Sequence, residues 1–497
     1  MWCGLPPGSA RLPAASQSEP GGVASSMSTA IVLFRRDLRL IDNPALTAAC
    51  DAHEHVLPVY IHAPDEDGPW SAGAAGRWWL HHSLASLQKR LHSHHAGLHI
   101  REGDTLAILQ ALIKQSGAEA VYWNRLYEPA SIQRDTQIKT TLREQGIAVH
   151  SYNAALWLEP WQIATQQGDP YRVFTPYWRN LRTQIAASEP LAEPAISGWY
   201  ALDGGLELSE LKLLPVISWD AGFAENWQPG EHGAAQMLEL FCDDAVTDYA
   251  HARDLPARHG TSRLSPYLHF GEISPRQIHF ALVEHVKHTA AKKRPDIEPY
   301  LRELGWREFA HHLLYHFPKT PTENFNPRFE GFRWNPPDKA LLKRWQQGRT
   351  GIPLVDAGMR ELWHTGWMHN RVRMVVASFL TKNLRQHWHE GERWFWDTLV
   401  DADLASNTLG WQWVAGCGAD AAPYFRVFNP VTQAKKFDPQ GTYLKRWLPE
   451  LADFPLDLLH EPWKDPERTQ RSGYPAAVVD LAQSRQDALD AYKAAKD

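Results

Sequence analysis

The apolar runs IVLF at residues 31–34 and VLPVYIH at residues 56–62 decide the fold of the first part of the chain. Each has the length of a buried strand, and a helical pattern follows at 77–92. Further strand-like and helical runs alternate at 98–101, 106–115, 120–123, 133–144 and 147–152. This alternation predicts a parallel sheet covered on both faces, that is, a doubly wound, Rossmann-like α/β domain that binds ligands at the carboxyl ends of its strands.

The composition along the chain predicts four segments. Residues 1–27 are rich in Pro, Gly, Ala and Ser and hold no apolar run of signal-peptide length, which predicts a disordered extension, with Met27 as the natural start. Residues 28–155 form the predicted α/β domain. Repeated prolines in 156–230 predict a linker, and helical periodicity in 231–497 predicts an all-α domain.

The overall composition is that of a globular protein and excludes several classes. The chain has 497 residues, 43% of them hydrophobic and 22% charged, and a formal net charge of −6. The four cysteines lie far apart, which argues against a disulfide framework or a cysteine metal site and fits a reducing cytoplasm. No apolar run approaches the length of a membrane helix.

The tryptophan count of 23 is unusually high. Large stacking faces are useful in a core, and they are equally useful in a protein that binds flat rings or moves electrons. The acidic balance provides no overall attraction for nucleic acid, although a neutral average can contain a local basic groove. The composition leaves both interpretations open.

Two groups in the helical half have the chemistry of a binding site. In GTSRLSP at 260–266, hydroxyls and backbone N–H groups precede a helix, as in a phosphate site or an ordinary N-cap. Glu303, Trp306 and Arg307 share one face of a predicted helix. That face suits a flat, hydrogen-bonding ligand, and it also suits a surface ion pair beside a core tryptophan.

Two further groups lie downstream. Asn370 and Met374 share a helix face, whereas Arg373 points elsewhere and needs a partner if it is buried. The segment DADLASNTLGWQW at 401–413 contains acids for that role, together with an amide and two indoles that could line a cofactor pocket. His312 and His316 have helical spacing but lack the Glu of H-E-x-x-H, so no metal site is predicted.

Together and in this order, these segments resemble the DNA photolyase/cryptochrome family. FRRDLRLIDN at 34–43 resembles the N-terminal signature of that family. The flavin-domain motifs are matched at 260–265, 306–309, 366–374, 401–413 and 420–430. The resemblance extends over residues 30–490 and is closest to bacterial photolyases of cyclobutane pyrimidine dimers.

The resemblance implies an α/β antenna domain, a linker and an all-α domain that binds FAD. The implied activity is light-driven repair of cyclobutane pyrimidine dimers in DNA, by electron transfer from photoexcited reduced FAD to a flipped-out dimer. A cytoplasmic monomer is expected.

The family's functional residues map onto this sequence one by one. FAD-binding positions are Tyr249, Thr261, Ser262, Arg263, Leu264, Ser265, Arg373, Asp401, Ala402, Asp403 and Asn407. In that set Arg373 pairs with Asp401, Asp403 contacts the flavin–ribose region, and Asn407 faces the flavin N5. Catalytic lesion-pocket residues are Glu303, Asn370 and Met374, and the DNA contacts are Glu303, Trp306, Arg307, Asn370, Arg371 and Trp413. The electron path to the flavin consists of Trp334, Trp388 and Trp411.

Three alternatives stay open at the level of sequence. A cryptochrome photoreceptor is disfavoured by Asn407, by the lesion-pocket residues, and by a chain that ends soon after its last predicted helix. A (6-4) photolyase is disfavoured because His369-Asn370 stands where that class carries paired histidines. A flavoprotein without a DNA role is only weakly opposed.

The antenna chromophore is expected to border GRWWL at 76–80 and WNRLYE at 123–128. The Asn-Glu pair that some enterobacterial photolyases use for folate is missing after Glu128. The expected chromophore is 5,10-methenyltetrahydrofolate in a different pose, with a deazaflavin as the alternative.

Overall fold

The computed structural model describes residues 28–195, 198–421 and 425–495. The expected disordered extension at 1–27 and the start at Met27 therefore lie outside the described residues, as does part of the 420–430 motif.

Five parallel strands form one sheet in the order β3-β2-β1-β4-β5. The strands are β1 (Thr29–Phe34), β2 (His55–His62), β3 (His99–Glu102), β4 (Ala120–Asn124) and β5 (Ala148–Tyr152). The first strand is central, and Ile31 pairs with Leu57 on one side and with Val121 on the other. The chain thus winds first toward one edge and then toward the other, which confirms the predicted doubly wound sheet.

Side chains of β1 show why both faces are covered. Every residue of Thr29–Phe34 is buried. Successive strand residues point to opposite faces. Accordingly, Val32 and Phe34 pack in one hydrophobic cluster, and Ile31 and Leu33 pack in another. Four α-helices supply the two covering layers, at Pro44–Ala52, Ala74–His92, Thr105–Ser116 and Pro129–Glu144.

The rest of the chain is mostly helical, in agreement with its periodicity. A π-helical turn, Phe379–Asn383, extends one of the helices. The α-helices are Phe174–Gln184, Ala221–Asn226, Glu231–Asp243, Tyr249–Ala252, Ser265–His269, Pro275–His288, Glu298–His316, Lys339–Gln346, Pro353–Thr365, Asn370–Ser378, Trp388–Thr398, Leu404–Ala415, Pro430–Phe437, Thr442–Trp447, Leu456–Leu459, Pro466–Ser472 and Leu481–Ala494.

The segment expected to be a linker contains a docked helix, Phe174–Gln184. Its Phe174, Tyr177 and Leu181 are buried and pack in one cluster with Phe309 of Glu298–His316. The spacing of these three residues is that of an apolar helix stripe, which the surrounding prolines obscured in the sequence.

Buried polar contacts join the sheet to the helical part. The guanidinium of Arg39, only 1% exposed, donates to the Gly271 carbonyl at 2.8 Å. Asp42 is fully buried, and its carboxylate accepts from Ser274 at 2.5 Å and from Arg276 at 3.1 Å. Because buried polar groups are costly unless paired, these contacts fix the orientation of the two parts. In the ranges that the structure describes, no helix is long and apolar enough to cross a membrane.

Candidate functional site

Four helices converge where the sequence motifs predict a site. Leu404–Ala415 packs against Glu298–His316, Asn370–Ser378 and Trp388–Thr398. The carboxylate of Asp403 caps Leu404–Ala415 by accepting from the Ser406 N–H at 2.8 Å. The residues that the motifs singled out therefore come together from segments more than a hundred positions apart.

A buried carboxylate at the centre of this group has two partners. Arg373 Nη2 lies 2.9 Å from Asp401 Oδ2, which also accepts from the Ser265 hydroxyl at 2.6 Å. The Asp401 side chain is only 4% exposed, so its charge needs this compensation. The Arg373–Asp401 pair expected from the sequence is thus present, and it connects the segment before Leu404–Ala415 to the 260–265 loop.

The 260–265 loop presents hydroxyl groups beside Tyr249–Ala252. Ser262 is held there, since its oxygen accepts from Tyr300 at 2.9 Å, and Tyr300 packs on the ring of Tyr249. Arg263 has a left-handed φ of +53°, and its buried Nε has no partner within the described residues. The Arg263 guanidinium lies over the rings of Trp227 and Trp367, at 4.4 and 5.0 Å from their centroids. Its positive charge suits a negatively charged ligand such as a diphosphate.

The amide of Asn407 has a fixed orientation. Its nitrogen donates to the Glu392 carbonyl at 3.0 Å, and the next residue, Thr408, donates to the Glu392 carboxyl at 2.9 Å. Burial raises the pKa of Glu392 to about 8, so this carboxyl is neutral near pH 7. With its nitrogen engaged, Asn407 has its carbonyl oxygen left as an acceptor for a ligand N–H.

Asp403 has protein partners of its own. Its carboxylate lies 3.5 Å from His311 Nε2 and 3.6 Å from His269 Nδ1. Although burial opposes it, the attraction of the nearby imidazoles of His311 and His269 holds the pKa of Asp403 well below its usual value. The carboxylate is therefore occupied by these side chains, and the predicted contact with a flavin–ribose group stays a prediction. Ala402 lies between the two acids and is buried.

The turn at Arg253 and Asp254 links the predicted lesion-pocket and DNA-binding residues. Arg253 Nη1 lies 2.6 Å from Glu303 Oε1, and the adjacent Asp254 accepts from Arg371 Nη2 at 2.7 Å. The same Arg371 approaches the Met374 sulfur, 4.0 Å away. Glu303 and Arg371 are thereby brought to neighbouring positions although they lie on different helices, and Asn370 is exposed beside them.

The two predicted stacking residues are tied to each other through Phe174. One face of Trp306 stacks on Phe174, with ring centroids 3.7 Å apart. Trp413 donates its indole N–H to the Asp420 carbonyl at 3.1 Å, and the Asp420 carboxylate accepts from the Phe174 backbone. Both indoles are only partly buried, which leaves surface for a second ring to cover.

Arg307 is directed away from this group. Its guanidinium donates to the Ala155 carbonyl of the N-terminal part at 2.7 Å, and its side chain is 15% exposed. Arg307 shares a helix face with Glu303, because the two residues are four positions apart. Its long side chain nevertheless extends to a different acceptor, the Ala155 carbonyl. The geometry does not favour Arg307 as a DNA contact, and it gives this residue a place at the junction of the two parts.

The three tryptophans of the predicted electron path run from the core toward the surface. Trp411 and Trp388 are buried, and Trp334 is partly exposed. The Trp411 ring lies against Gly391, one turn after Trp388, because a Cβ at Gly391 would lie only 2.0 Å from that ring. Trp388 is fixed by its N–H bond to Asn324, at 3.1 Å.

A cavity of about 550 Å³ opens at the carboxyl ends of β1 and β2. Its wall includes Gly76, Arg77 and Glu128, which belong to the segments expected to border an antenna chromophore. Trp70 and Trp396 form an edge-to-face pair in the same wall, with centroids 5.5 Å apart. The cavity has the aromatic and cationic groups that a flat, anionic ligand requires.

His312 and His316, which have metal-like spacing, hold the chain between 160 and 171 instead. His312 accepts from the Tyr171 N–H at 3.0 Å, and burial lowers its pKa to about 4. His316 approaches the Pro160 carbonyl at 3.1 Å. Across the described ranges, no group of three or more His, Cys, Asp or Glu residues is placed to hold a metal ion.

Several partners of the site residues were not identified from the sequence. Arg253, Asp254 and Glu392 are polar residues without a motif, and Phe174 belongs to the segment expected to be a linker. No local signal identifies Arg253, Asp254 or Glu392, because each acts on a residue distant in the chain. The missed apolar stripe that begins at Phe174 is the exception, since its helical spacing was readable.

Comparisons with known proteins agree with this arrangement. The family described as "DNA photolyase" matches residues 30–195, and the family described as "FAD binding domain of DNA photolyase" matches residues 300–494. A deoxyribodipyrimidine photo-lyase of Agrobacterium fabrum is 44% identical over 482 residues, which are 95% of this chain and 99% of that protein. Cryptochrome-2 of Arabidopsis thaliana is 39% identical over 480 residues, which are 92% of this chain and 77% of that protein.

Solved structures show the same similarity. A bacterial class III photolyase from Agrobacterium tumefaciens has a TM-score of 0.90 and 43% identity, with 96% of this chain and 100% of that chain covered. A cryptochrome from Synechocystis sp. PCC6803 has a TM-score of 0.84 and 28% identity, with 93% and 99% covered.

The fold and the matched FAD-binding domain define a two-part flavoprotein with an α/β domain and a helical domain. This chain belongs to the DNA photolyase/cryptochrome family.

Proposed function

We propose that this protein repairs cyclobutane pyrimidine dimers in DNA, using light. The observation that carries the proposal is the pair of partly exposed indoles, Trp306 and Trp413, together with Glu303, which precedes Trp306 by one turn on the same helix and pairs with Arg253. A flipped dimer has an apolar side and an edge of carbonyl and N–H groups. The indoles suit the apolar side, and Glu303 with Asn370 suits the polar edge.

FAD fits the residues of the helical part. Asn407 would offer its carbonyl oxygen to the flavin N5 position, the 260–265 loop with Arg263 and Ser265 would bind the diphosphate, and the Arg373–Asp401 pair would serve the flavin ring. Bound in its reduced form, FAD supplies light absorption and the electron that opens the cyclobutane ring and then returns. The chain itself binds and orients the flipped lesion and keeps water from it.

DNA binding is proposed to depend on a local positive rim. The net charge of −6 opposes indiscriminate binding to phosphates. Arg371, which is paired with Asp254, lies over the Phe437 ring at 4.5 Å, and Lys436 lies over the same ring at 5.0 Å, so this ring brings two cations together. Affinity for undamaged DNA is therefore expected to be weak and strongly salt-dependent. The protein is proposed to act as a monomer in the cytoplasm.

The 550 Å³ cavity is proposed to hold the antenna chromophore, 5,10-methenyltetrahydrofolate, with a deazaflavin as the alternative. A solved archaeal photolyase from Sulfolobus tokodaii, 30% identical, is described as containing two FAD molecules, so a second flavin is a third outcome. The absorption spectrum of protein purified from its native host separates these three chromophores. A spectrum of one FAD alone would contradict the antenna proposal.

The test of the proposed function is light-dependent repair of a thymine dimer in a short oligonucleotide by the reduced protein. We expect loss of the dimer in light and not in darkness, and no repair of a (6-4) product. Photoreduction of the flavin without any dimer loss would overturn the proposal and indicate a cryptochrome photoreceptor.

A further inference from the structure

The imidazole of His387 lies between two of the path tryptophans. Its ring centroid is 5.0 Å from that of Trp334 and 5.7 Å from that of Trp388. The His387 and Trp388 planes differ by only 27°, so these rings are stacked. Among the described residues, Trp334 and Trp388 form no close ring pair with each other, whereas His387 forms one with each of them.

The position of this ring is set by the backbone. His387 is the N-cap of Trp388–Thr398, and its Nδ1 accepts from the His389 N–H at 3.2 Å. A nitrogen that accepts an N–H bond carries no proton, so the neutral imidazole has its hydrogen on Nε2. The cap thus holds both the orientation and the tautomer of the ring.

The surroundings oppose a positive charge on this imidazole. Burial lowers the pKa of His387, and the nearby charge of Arg393 on the same helix lowers it further. His389 on that helix contacts the ring as well, and burial lowers the pKa of His389 to about 4. The facing segment contributes the uncharged Trp334, and the neighbouring Arg333 on that segment is exposed.

We propose that His387 is a positioning residue of the electron path and carries the coupling between Trp388 and Trp334. This inference rests on the proposed function and adds a residue to its electron path. One electron passes from Trp411 to the photoexcited flavin. Trp388 then donates an electron to the oxidised Trp411, and Trp334 donates an electron to the oxidised Trp388. Trp334 then loses its N–H proton to water, and an added thiol restores it by donating one electron and one proton.

A protonated His387 would oppose the last transfer, because it places a positive charge in contact with the ring that must become a cation. Photoreduction of the wild-type protein is therefore expected to decline as the pH falls through the lowered pKa of His387. Its yield is expected to be constant above that pKa.

Three variants test the inference. His387→Asn keeps the capping acceptor and removes the ring, and His387→Phe keeps a ring that cannot be protonated. His389→Asn is the matched control, because His389 contacts Trp388 and His387 but, among the described ring contacts, not Trp334. Transient absorption would follow the tryptophan radicals, and steady illumination with a thiol would measure flavin reduction over a range of pH.

We expect severalfold slower formation of the Trp334 radical in His387→Asn and an unchanged rate in His389→Asn. His387→Phe should retain the transfer and lose the decline at acid pH. Wild-type kinetics in His387→Asn, or a wild-type pH profile in His387→Phe, would overturn the inference. Trp388→Phe tests the tryptophan path separately from the role of His387. Normal photoreduction in that variant would mean that the proposed path itself is wrong.

An NMR measurement on FAD-free protein tests the orientation and tautomer of the His387 ring. In FAD-free protein, long-range ¹⁵N–¹H NMR spectra compared between wild type and His387→Asn assign the His387 nitrogens. We expect the hydrogen on Nε2 and a titration midpoint below that of an ordinary histidine. A hydrogen on Nδ1 would contradict the cap-fixed orientation.

Discussion

Arg373 and Asp401 form an ion pair, with Nη2 and Oδ2 2.9 Å apart, whose carboxylate is almost completely buried. In Arg373→Met, that carboxylate loses its one guanidinium partner among the described residues while staying buried. We expect unfolding to become easier by about 3 kcal/mol, because an unpaired buried charge is costly. We also expect loss of FAD, measured by the ratio of flavin to protein absorbance after gel filtration.

The exposed pair of Arg182 and Glu298 supplies the control for that experiment. Its side chains are 36% and 50% exposed. Arg182→Met should therefore cost less than about 1 kcal/mol and leave FAD bound. Equal losses in the two variants would show that the charge of Asp401 does not depend on Arg373.

Glu303 should matter for the lesion and not for the flavin. In Glu303→Ala we expect repair to slow by roughly tenfold or more, because a polar group is lost where charge develops on the dimer. FAD content should match wild type. Glu298→Gln, on the same helix but paired with Arg182, serves as the control and should repair normally. Loss of FAD from Glu303→Ala would assign this residue to the flavin site.

Trp411 should be needed for photoreduction and not for repair. In Trp411→Phe the aromatic packing against Phe395, with centroids 4.9 Å apart, is largely kept, but the oxidisable indole is gone. We expect light to reduce oxidised FAD much more slowly. Prereduced protein should repair dimers at the wild-type rate, and a parallel loss of repair would point to structural damage.

Gly271 should tolerate no side chain. Its φ is +66°, and a Cβ there would lie 2.0 Å from the Arg36 carbonyl oxygen. Gly271→Ala should lower the thermal midpoint strongly, since the junction must open to admit the methyl group. Gly146→Ala is the control, because Gly146 has a φ of +84° and open space around it, so only the backbone cost of about 1 kcal/mol is expected. Similar midpoints in the two variants would contradict this explanation.

Glu272 should make stability depend on pH. It is 1% exposed, and burial raises its pKa from 4.5 to about 8, although Trp79 and the Gly230 N–H donate to it. The folded state therefore keeps a proton that the unfolded state releases. Its contribution to stability is fully present below the unfolded pKa and falls by about 1.4 kcal/mol per pH unit as the pH rises toward 8.

Glu272→Gln removes this titration and leaves the other groups in place. Urea unfolding at several pH values between about 5 and about 7.5 should show a variant that gains stability relative to wild type as the pH rises. Parallel stability curves would mean that Glu272 is ionised in the folded protein.

The sequence by itself determined the sheet and most helices. In residues 30–34 every side chain is apolar, as both faces of a central parallel strand require, and Pro275–His288 carries its capping box in adjacent residues. These signals are local, because strand burial, helix stripes and caps depend on residues within a few positions of one another. The motif order in the helical half was likewise sufficient to recognise the family.

Only the tertiary structure decided how the site is held. Arg253 reaches Glu303 across 50 positions, Glu392 orients Asn407 from another helix, and His387 enters the space between two tryptophans. Arg307 bonds to the Ala155 carbonyl and Asp403 lies close to two histidines, partners that the sequence did not indicate. Such contacts depend on the distance between packed elements. The spacing of residues along one helix does not predict that distance.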